Sequence, residues 1–527
     1  MKKFTLVTVM ILSAATAFSA DLRLIDAVKK SDAKTVRSLI AQRVDVKSAE
    51  ADGSTALHWE AQRDNLDIVD LLLRAGANAT AANRYNVTPL SLASMNGSAA
   101  IIERLLNAGA GANDTSEEGQ TALMTASLNG KVDAIKMLLG HGADVNAKEP
   151  LREQTALMWA ASEGNAAAVE LLPQSGADIK AKSKTGFTPL LFAVRNGHID
   201  AVRSLLNHGA NVNDVATDGT SALNMAVVNA YFELASILLD HGADPNASDP
   251  RGSALHTLAW LRKPGTDGAA GVGNTPHGPP PPTGNLTPLE LAKKLLEKGA
   301  NPNVRINWEE KKFDKEGGTM KNPPLIQLGR HYLTYVGATP FYVAAHNGDV
   351  QYMRLLAEHG ADPKLPNILG ITPLIAASGL DYWEGEAPGP FTGSTEAERL
   401  EAVKLALDLG NDINAHADFG DYPMEGDPEY LLLYYPLNME DLIGKVLGDP
   451  RWSGSTSLHA AVVSGQPGIV KFLIERGAKV DAKTKIGWTP LDMAKGIFFA
   501  NAKKEFPAAA EILKQAMAVG AVYDRPR

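Results

Sequence analysis

Residues 121–146 read TALMTASLNGKVDAIKMLLGHGADVN, and this stretch decides the fold. Thr121 stands where a helix needs a side-chain acceptor for its unpaired first-turn N–H groups. Leu138 and Leu139 give a second helix an apolar edge for stacking on its neighbours. Gly142 can adopt positive φ and end that helix. Gly142-Ala143-Asp144-Val145-Asn146 then opens a turn that projects away from both helices. One such unit cannot bury its apolar face alone, so its stability must come from stacking on copies of itself.

The copies are present. Thr or Ser precedes an apolar pair at Thr55, Thr88, Thr121, Thr155, Thr188 and Ser221, at steps of 33, 33, 34, 33 and 33. Glycines at 76, 109, 142, 176, 209 and 242 follow, each 21 residues later. Both series share the single extra residue, which must fall between Gly142 and Thr155. Further copies start at Ser253, Thr339, Thr372, Thr456 and Thr489. Proline after the cap, as in Thr88-Pro89-Leu90, suits the first helical position, where no N–H is needed. With a degenerate cap at residues 22–46, the chain contains about 12 units.

The consensus is T-[AP]-L-x-x-A, then V/I-x-x-L-L, then G-A-[DN]-x-N. It closely resembles the ankyrin repeat family, whose T-P-L-H-x-A signature recurs at this period. The strongest copies are Thr55-Ala56-Leu57-His58, Thr339-Pro340-Phe341-Tyr342 and Thr456-Ser457-Leu458-His459. The resemblance covers most of residues 22–520. It implies an all-α solenoid of about 12 stacked helix-turn-helix units with projecting β-turns. The second half also resembles exported bacterial ankyrin repeat proteins.

The expected organisation is a signal peptide at 1–20, an N-terminal capping repeat at 21–50 and regular repeats at 51–250. Interrupted repeats follow at 251–484, then a last repeat, cap and tail at 485–527. Four insertions break the second half. Those at 262–284 and 380–395 separate the first helix of a unit from the second, and those at 304–336 and 416–453 sit in the turns between units. The two kinds should leave from opposite ends of the helix pairs, each kind as two neighbours roughly 20 Å apart. Pro173, where Leu73 stands in an earlier unit, should distort the end of its second helix.

Composition narrows the function. A formal charge of −9 with no basic run argues against a nucleic-acid partner. The chain has no cysteine, which removes disulfides, thiolate metal sites and cysteine nucleophiles together. Lys2-Lys3, the uncharged stretch from Phe4 to Phe18, and small residues at Ala17 and Ser19 have the layout of a cleaved secretory signal. The expected address is periplasmic or secreted, with no membrane association after cleavage.

No catalytic motif is legible, and no metal or cofactor is expected. His141, His208, His241 and His359 each precede a unit-ending glycine. Equivalent positions in stacked units lie roughly 8–10 Å apart, too far for two to share zinc, so they read as partners of the helix end. His58, His256 and His459 fall in the signature and read as structural. Asp144-Val145-Asn146 and Asp244-Pro245-Asn246 imitate a calcium loop but lack its fifth ligand and sixth-place glycine, so they read as hydrogen-bonding turns. Trp59, Leu92, Trp159, Phe192 and Met225 form an apolar series that should pack against neighbouring units.

The function that follows is a monomeric, non-enzymatic scaffold binding another exported protein. The resemblance places its surface on the turn tips, Tyr85, Val87, Arg152, Gln154 and Phe187. It adds helix positions including Met95, Leu128 and Arg195. Tyr382, Trp383, Tyr430, Tyr434 and Tyr435 in the insertions are candidate anchors, and binding should depend most on residues 416–453. An enzyme or small-ligand site built from the inserted loops is the alternative, and a secreted effector is a further one.

Overall fold

The computed structural model describes residues 21–249, 252–263, 282–306, 337–380, 394–418, 452–499 and 502–523. Two compact bodies divide the chain, Met1–Gly209 and Ala210–Arg527. The signal segment and the aromatics Tyr382, Trp383, Tyr430, Tyr434 and Tyr435 lie outside the described residues.

The N-terminal body is six helix pairs. They are α1 Arg23–Lys29 with α2 Ala33–Ala41, α3 Ala56–Gln62 with α4 Leu66–Arg74, and α5 Pro89–Asn96 with α6 Ala99–Asn107. Next come α7 Ala122–Leu128 with α8 Val132–Gly140, α9 Ala156–Ser162 with α10 Ala166–Gln174, and α11 Pro189–Arg195 with α12 Ile199–Asn207. First helices stack on first helices and second on second. Their seams are closed by fully buried Leu57, Leu90, Leu123, Leu157 and Leu190, and by Ile68, Ile101 and Ile135. The caps are as the sequence implies: Thr88, Thr121, Thr155 and Thr188 each accept from the N–H three residues on. Gly142 has φ +83° with open space around a Cβ, so only its backbone conformation requires glycine there.

Pro173 does not break its unit. Helix α10 runs through it to Gln174, and Gly176 and Ala177 donate to Pro173 and Leu172 at 3.0 Å, as their counterparts do in other units. The proline sits one residue from the end, so one helical bond is lost and the terminal bonds survive.

The projecting turns are short hairpins. Asn83 donates to the Val87 carbonyl at 3.0 Å and Ser183 to that of Phe187 at 2.9 Å. Adjacent tips are bonded too, Arg84 to Asp52 at 2.8 Å and Lys184 to Arg152 at 2.9 Å. The one-residue insertion lies in the turn 149–154, where Glu149 donates to Gln154 and Glu153 has φ +57°.

The C-terminal body repeats the plan. Its pairs are α13 Ala222–Val228 with α14 Phe232–Asp240, α15 Ala254–Arg262 with α16 Pro288–Glu297, and α17 Pro340–His346 with α18 Val350–Glu358. They continue with α19 Pro373–Ala377 and α20 Glu396–Asp408, α21 Ser457–Val463 and α22 Pro467–Glu475, and α23 Pro490–Ala494 and α24 Pro507–Tyr523. Two small antiparallel pairs accompany them, Ser248–Asp249 with Gly252–Ser253 and Ile497–Phe499 with Ala502–Lys504. The second, inside the last unit, has no counterpart in the sequence expectation.

The turn insertions start from intact hairpin bases. Ile306 donates to the Ala338 carbonyl and Ala417 to that of Ser455, each at 2.9 Å, in the place of the Asn83–Val87 bond. Asparagine amides then clasp successive units. In the N-terminal body Asn113 donates to Gly142 and accepts from Asp144, and Asn146 does the same with Gly176 and Asp178. In the C-terminal body Asn246 clasps Gly299 and Asn301, Asn303 clasps Gly360 and Asp362, and Asn414 clasps Gly477 and Lys479. The register therefore passes three of the four insertions through the same clasp; across 380–395 Lys364 stands in the clasp position, and Asn411 donates to the Pro363 carbonyl at 2.9 Å instead.

The insertions between helices start from the α15–α16 and α19–α20 junctions, and the turn insertions from hairpin bases between units. At the roots of the insertions between helices, Lys263 Nζ lies 2.7 Å from Glu398 Oε1, so long side chains bridge the two units. Helix α20 has 13 residues against the nine of α18, and Glu398 lies in its first turn.

Candidate partner-binding surface

The turn tips and helix ends of the N-terminal body divide into residues that hold the stack and residues that face solvent. Val87 is half-buried, and its carbonyl accepts from both Asn83 and His58. Gln154 is half-buried and its N–H is held by the Glu149 carboxylate at 3.0 Å. Tyr85 is half-exposed at 50%, with the Arg84 guanidinium 4.7 Å over its ring. Arg152 is exposed. Phe187 packs on Phe192 with centroids 5.4 Å apart, under Arg195 at 5.9 Å. Leu151, absent from the sequence-based set, is 67% exposed, because the extra residue in its turn carries it outward.

At the helix ends, Met95 is 50% exposed, Arg195 is exposed and Leu128 is half-buried. The asparagines beside two of them bridge units instead: Asn96 donates to Gln62 and Ala61, and Asn196 to Ser162 at 2.7 Å. Within the apolar series Phe192 and Met225 are buried as expected. Trp59, Leu92 and Trp159 remain half-exposed. Trp59 donates to Glu50 at 2.8 Å, whereas the buried Trp159 indole N–H has no partner.

The seven histidines singled out from the sequence hold helix ends and caps. His141, His208, His241 and His359 pair through Nδ1 with the carbonyl four residues earlier, at 2.8–3.0 Å. His58, His256 and His459 close a capping box and reach the next unit's carbonyl, at Val87, Ala338 and Trp488. Burial pushes His58 down, and pushes His256 and His459 down to about 4. Among the described residues no three His, Asp or Glu groups converge as a metal site would require. In the calcium-like turns, Asp144 accepts from Asn146 N at 2.9 Å. The Asn146 side chain reaches across to the next unit, a link the sequence reading missed.

Glu60 is an outlier. It is buried, one carboxylate oxygen has no partner, and burial raises its pKa. Alanine stands at the equivalent place in most units, as Ala93, Ala126, Ala160, Ala193 and Ala226.

The C-terminal body buries polar groups near the roots of its inter-helix insertions. Arg262 Nε lies 2.6 Å from Asp349 Oδ2, and Asp349 also caps α18 through Tyr352 N. Tyr352 is buried, its pKa pushed up by burial, and donates to Leu255 O at 2.8 Å. Ser394 donates to Asn347 and Ser464 to Ser378. Trp452, which the sequence places in an aromatic insertion, is buried at that insertion's base.

A family model described as ankyrin repeats in three copies matches residues 24–116, 92–183 and 157–249, and a model of the single ankyrin repeat matches 336–368 and 453–485. The crystal structure of the human ASB11 ankyrin repeat domain is similar at 25% identity over 42% of this chain and 97% of that one, with a TM-score of 0.39.

Proposed function

The chain belongs to the ankyrin repeat family, and on that premise we propose that it is a non-enzymatic scaffold, monomeric and exported, that binds another exported protein. The observation that carries this is the division of labour at the turns. Val87, Gln154 and the Asn clasps hold the backbone, which leaves Tyr85, Met95, Leu151 and Arg152 in solvent on a rigid frame. Exposed aromatic and apolar side chains on a rigid frame bind at low entropic cost. The export part rests on the N-terminal sequence alone, and among the described residues no helix is long and apolar enough to cross a membrane.

The test is affinity capture from the exported fraction with three proteins: wild type, a version with residues 421–452 replaced by a short Gly/Ser link, and Phe187→Ala/Arg195→Ala. The scaffold reading expects a specific partner lost with at least one variant. Intact mass should place the mature N-terminus at Ala20 or Asp21, and a full-length chain in the cytosolic fraction would refute export.

One observation favours a second reading, a small-ligand site. Gln466 is buried, and neither polar atom of its amide has a partner. Gln466→Leu should then abolish ligand-induced stabilisation in a thermal-shift screen of small metabolites. If no compound stabilises the wild type, that site does not exist.

A further inference from the structure

The N-terminal body carries a local cationic face although the whole chain is acidic. The turns 148–154 and 182–187 lie edge to edge, joined by the Lys184 N to Arg152 O bond at 2.9 Å and by Lys148 Nζ on Lys182 O at 2.9 Å. Lys148, Arg152, Lys182 and Lys184 are all exposed there. Arg195 adds a fifth cation beside the Phe187 ring. Five acids stand nearby, two of them, Glu117 and Glu118, exposed on the preceding turn tip, whose Gly119 abuts Pro150. Glu149 is buried, its carboxylate held by the N–H groups of Leu151, Arg152 and Gln154 at 2.8–3.0 Å. Glu153 is paired with Lys148 at 3.8 Å, and Glu163 is exposed at the end of α9.

Apolar groups accompany these charges. Leu151 is the most exposed large hydrophobic residue among the described residues. Trp159 and Phe187 are half-buried, on α9 and on the turn entering α11. The Trp159 indole N–H is an unsatisfied donor. Exposed cations around partly exposed apolar anchors complement an acidic chain carrying apolar side chains of its own.

We propose that these two turns, with Arg195 and Trp159, dock an extended acidic segment of a partner protein that carries leucine or aromatic anchors. The segment's carboxylates pair with Arg152, Lys182, Lys184 and Arg195, and its anchors cover Leu151 and Phe187. This deepens the scaffold reading and rests on it.

The probe is a fluorescein-labelled nonapeptide of glutamates interspersed with leucine and tyrosine, followed by anisotropy with the full-length mature protein. Binding should weaken by about tenfold between about 50 mM and about 300 mM salt, as screened charge pairs do. Lys182→Glu/Lys184→Glu should weaken it by about tenfold or more, and Leu151→Ser by about threefold, with the helical circular dichroism unchanged. A lysine-for-glutamate peptide should not bind. Equal affinity of wild type and the charge-reversed variant would overturn the proposal. Equally tight binding of heparin, or of a glutamate–glycine peptide, would overturn it in favour of a general polyanion surface. If the protein captures a partner but ignores the peptide, only the acidic assignment falls; if it captures nothing, the scaffold reading falls.

Discussion

The hairpin at 83–87 and the base at Ile306 and Ala338 perform the same task at very different chain lengths. In each, a residue entering the turn donates to the carbonyl of the one leaving it. The first closes over four residues and the second over 32. Loop-closure entropy makes the longer closure costlier by about 2 kcal/mol. The base of the longer turn keeps the bonds of the short one: His256 reaches the Ala338 carbonyl at 3.1 Å as His58 reaches Val87, and Asn303 clasps the following unit as Asn146 does. At the second insertion, His416 bonds the Gly454 carbonyl at 2.7 Å. A repeat array therefore tolerates long excursions when the residues at their base keep the bonds of an ordinary turn.

The largest expected break in this comparison is acid. His256 and His459 are held neutral by burial, with pKa values near 4 against an ordinary value of 6.5. Their folded pKa is depressed, so their contribution is fully present above about pH 6.5 and is lost as pH falls toward 4. Each then costs about 3 kcal/mol, because the unfolded chain takes up a proton that the folded one refuses. His58 in the N-terminal body shifts the same way. Hydrogen exchange followed by mass spectrometry between pH 7 and pH 5 should show residues 252–263, 282–306 and 452–499 losing protection before residues 88–207. Simultaneous loss would contradict this.

A smaller effect sharpens the comparison. Asn303→Ala removes two hydrogen bonds to the following unit and should cost about 2 kcal/mol in denaturant unfolding. Asn146→Ala, in an uninterrupted stretch, should cost the same within about 0.5 kcal/mol, if the insertions leave stacking unaltered. A much larger cost at Asn303 would show that the clasp carries strain from its insertion.

Glu60→Ala should stabilise the N-terminal body by about 1–2 kcal/mol at pH 7 by removing a buried, half-satisfied carboxyl. Burial raises the folded pKa, so the native residue is tolerated while protonated and destabilises as pH rises through that value. The gain in thermal midpoint should therefore shrink toward pH 4. A gain independent of pH would indicate packing rather than charge. The smallest effect belongs to Pro173→Leu, which restores one helical bond to Val169 and should gain about 1 kcal/mol.

Much of the fold was legible because its signals are local. Thr121 caps a helix within three residues and Gly142 ends one in place, so a single chain position carries each inference. The Asn clasps were not legible. Asn303 and Gly360 are 57 residues apart, and no local pattern distinguishes a side chain bonding its own turn from one bonding the next unit. The candidate surface was legible in part for a related reason. Position within the repeat identified Tyr85, Met95 and Arg195, but Leu151 is exposed through the one-residue insertion, which the period located without showing its effect. Asn96 and Asn196 occupy surface positions of the pattern and yet bridge neighbouring units.

The most direct measurement is to excise an insertion at its base. Replacing residues 307–336 with Lys-Thr, as at Lys184 and Thr185, would leave Ile306, Gly337 and Ala338 to form a hairpin like that between Ser183 and Phe187. An unbroken register predicts a protein that unfolds cooperatively, with the C-terminal body more stable by up to about 2 kcal/mol and the amides of residues 339–380 protected as before. A loss of protection across residues 339–380 would show that the insertion holds those units together, contradicting a register that passes it unchanged.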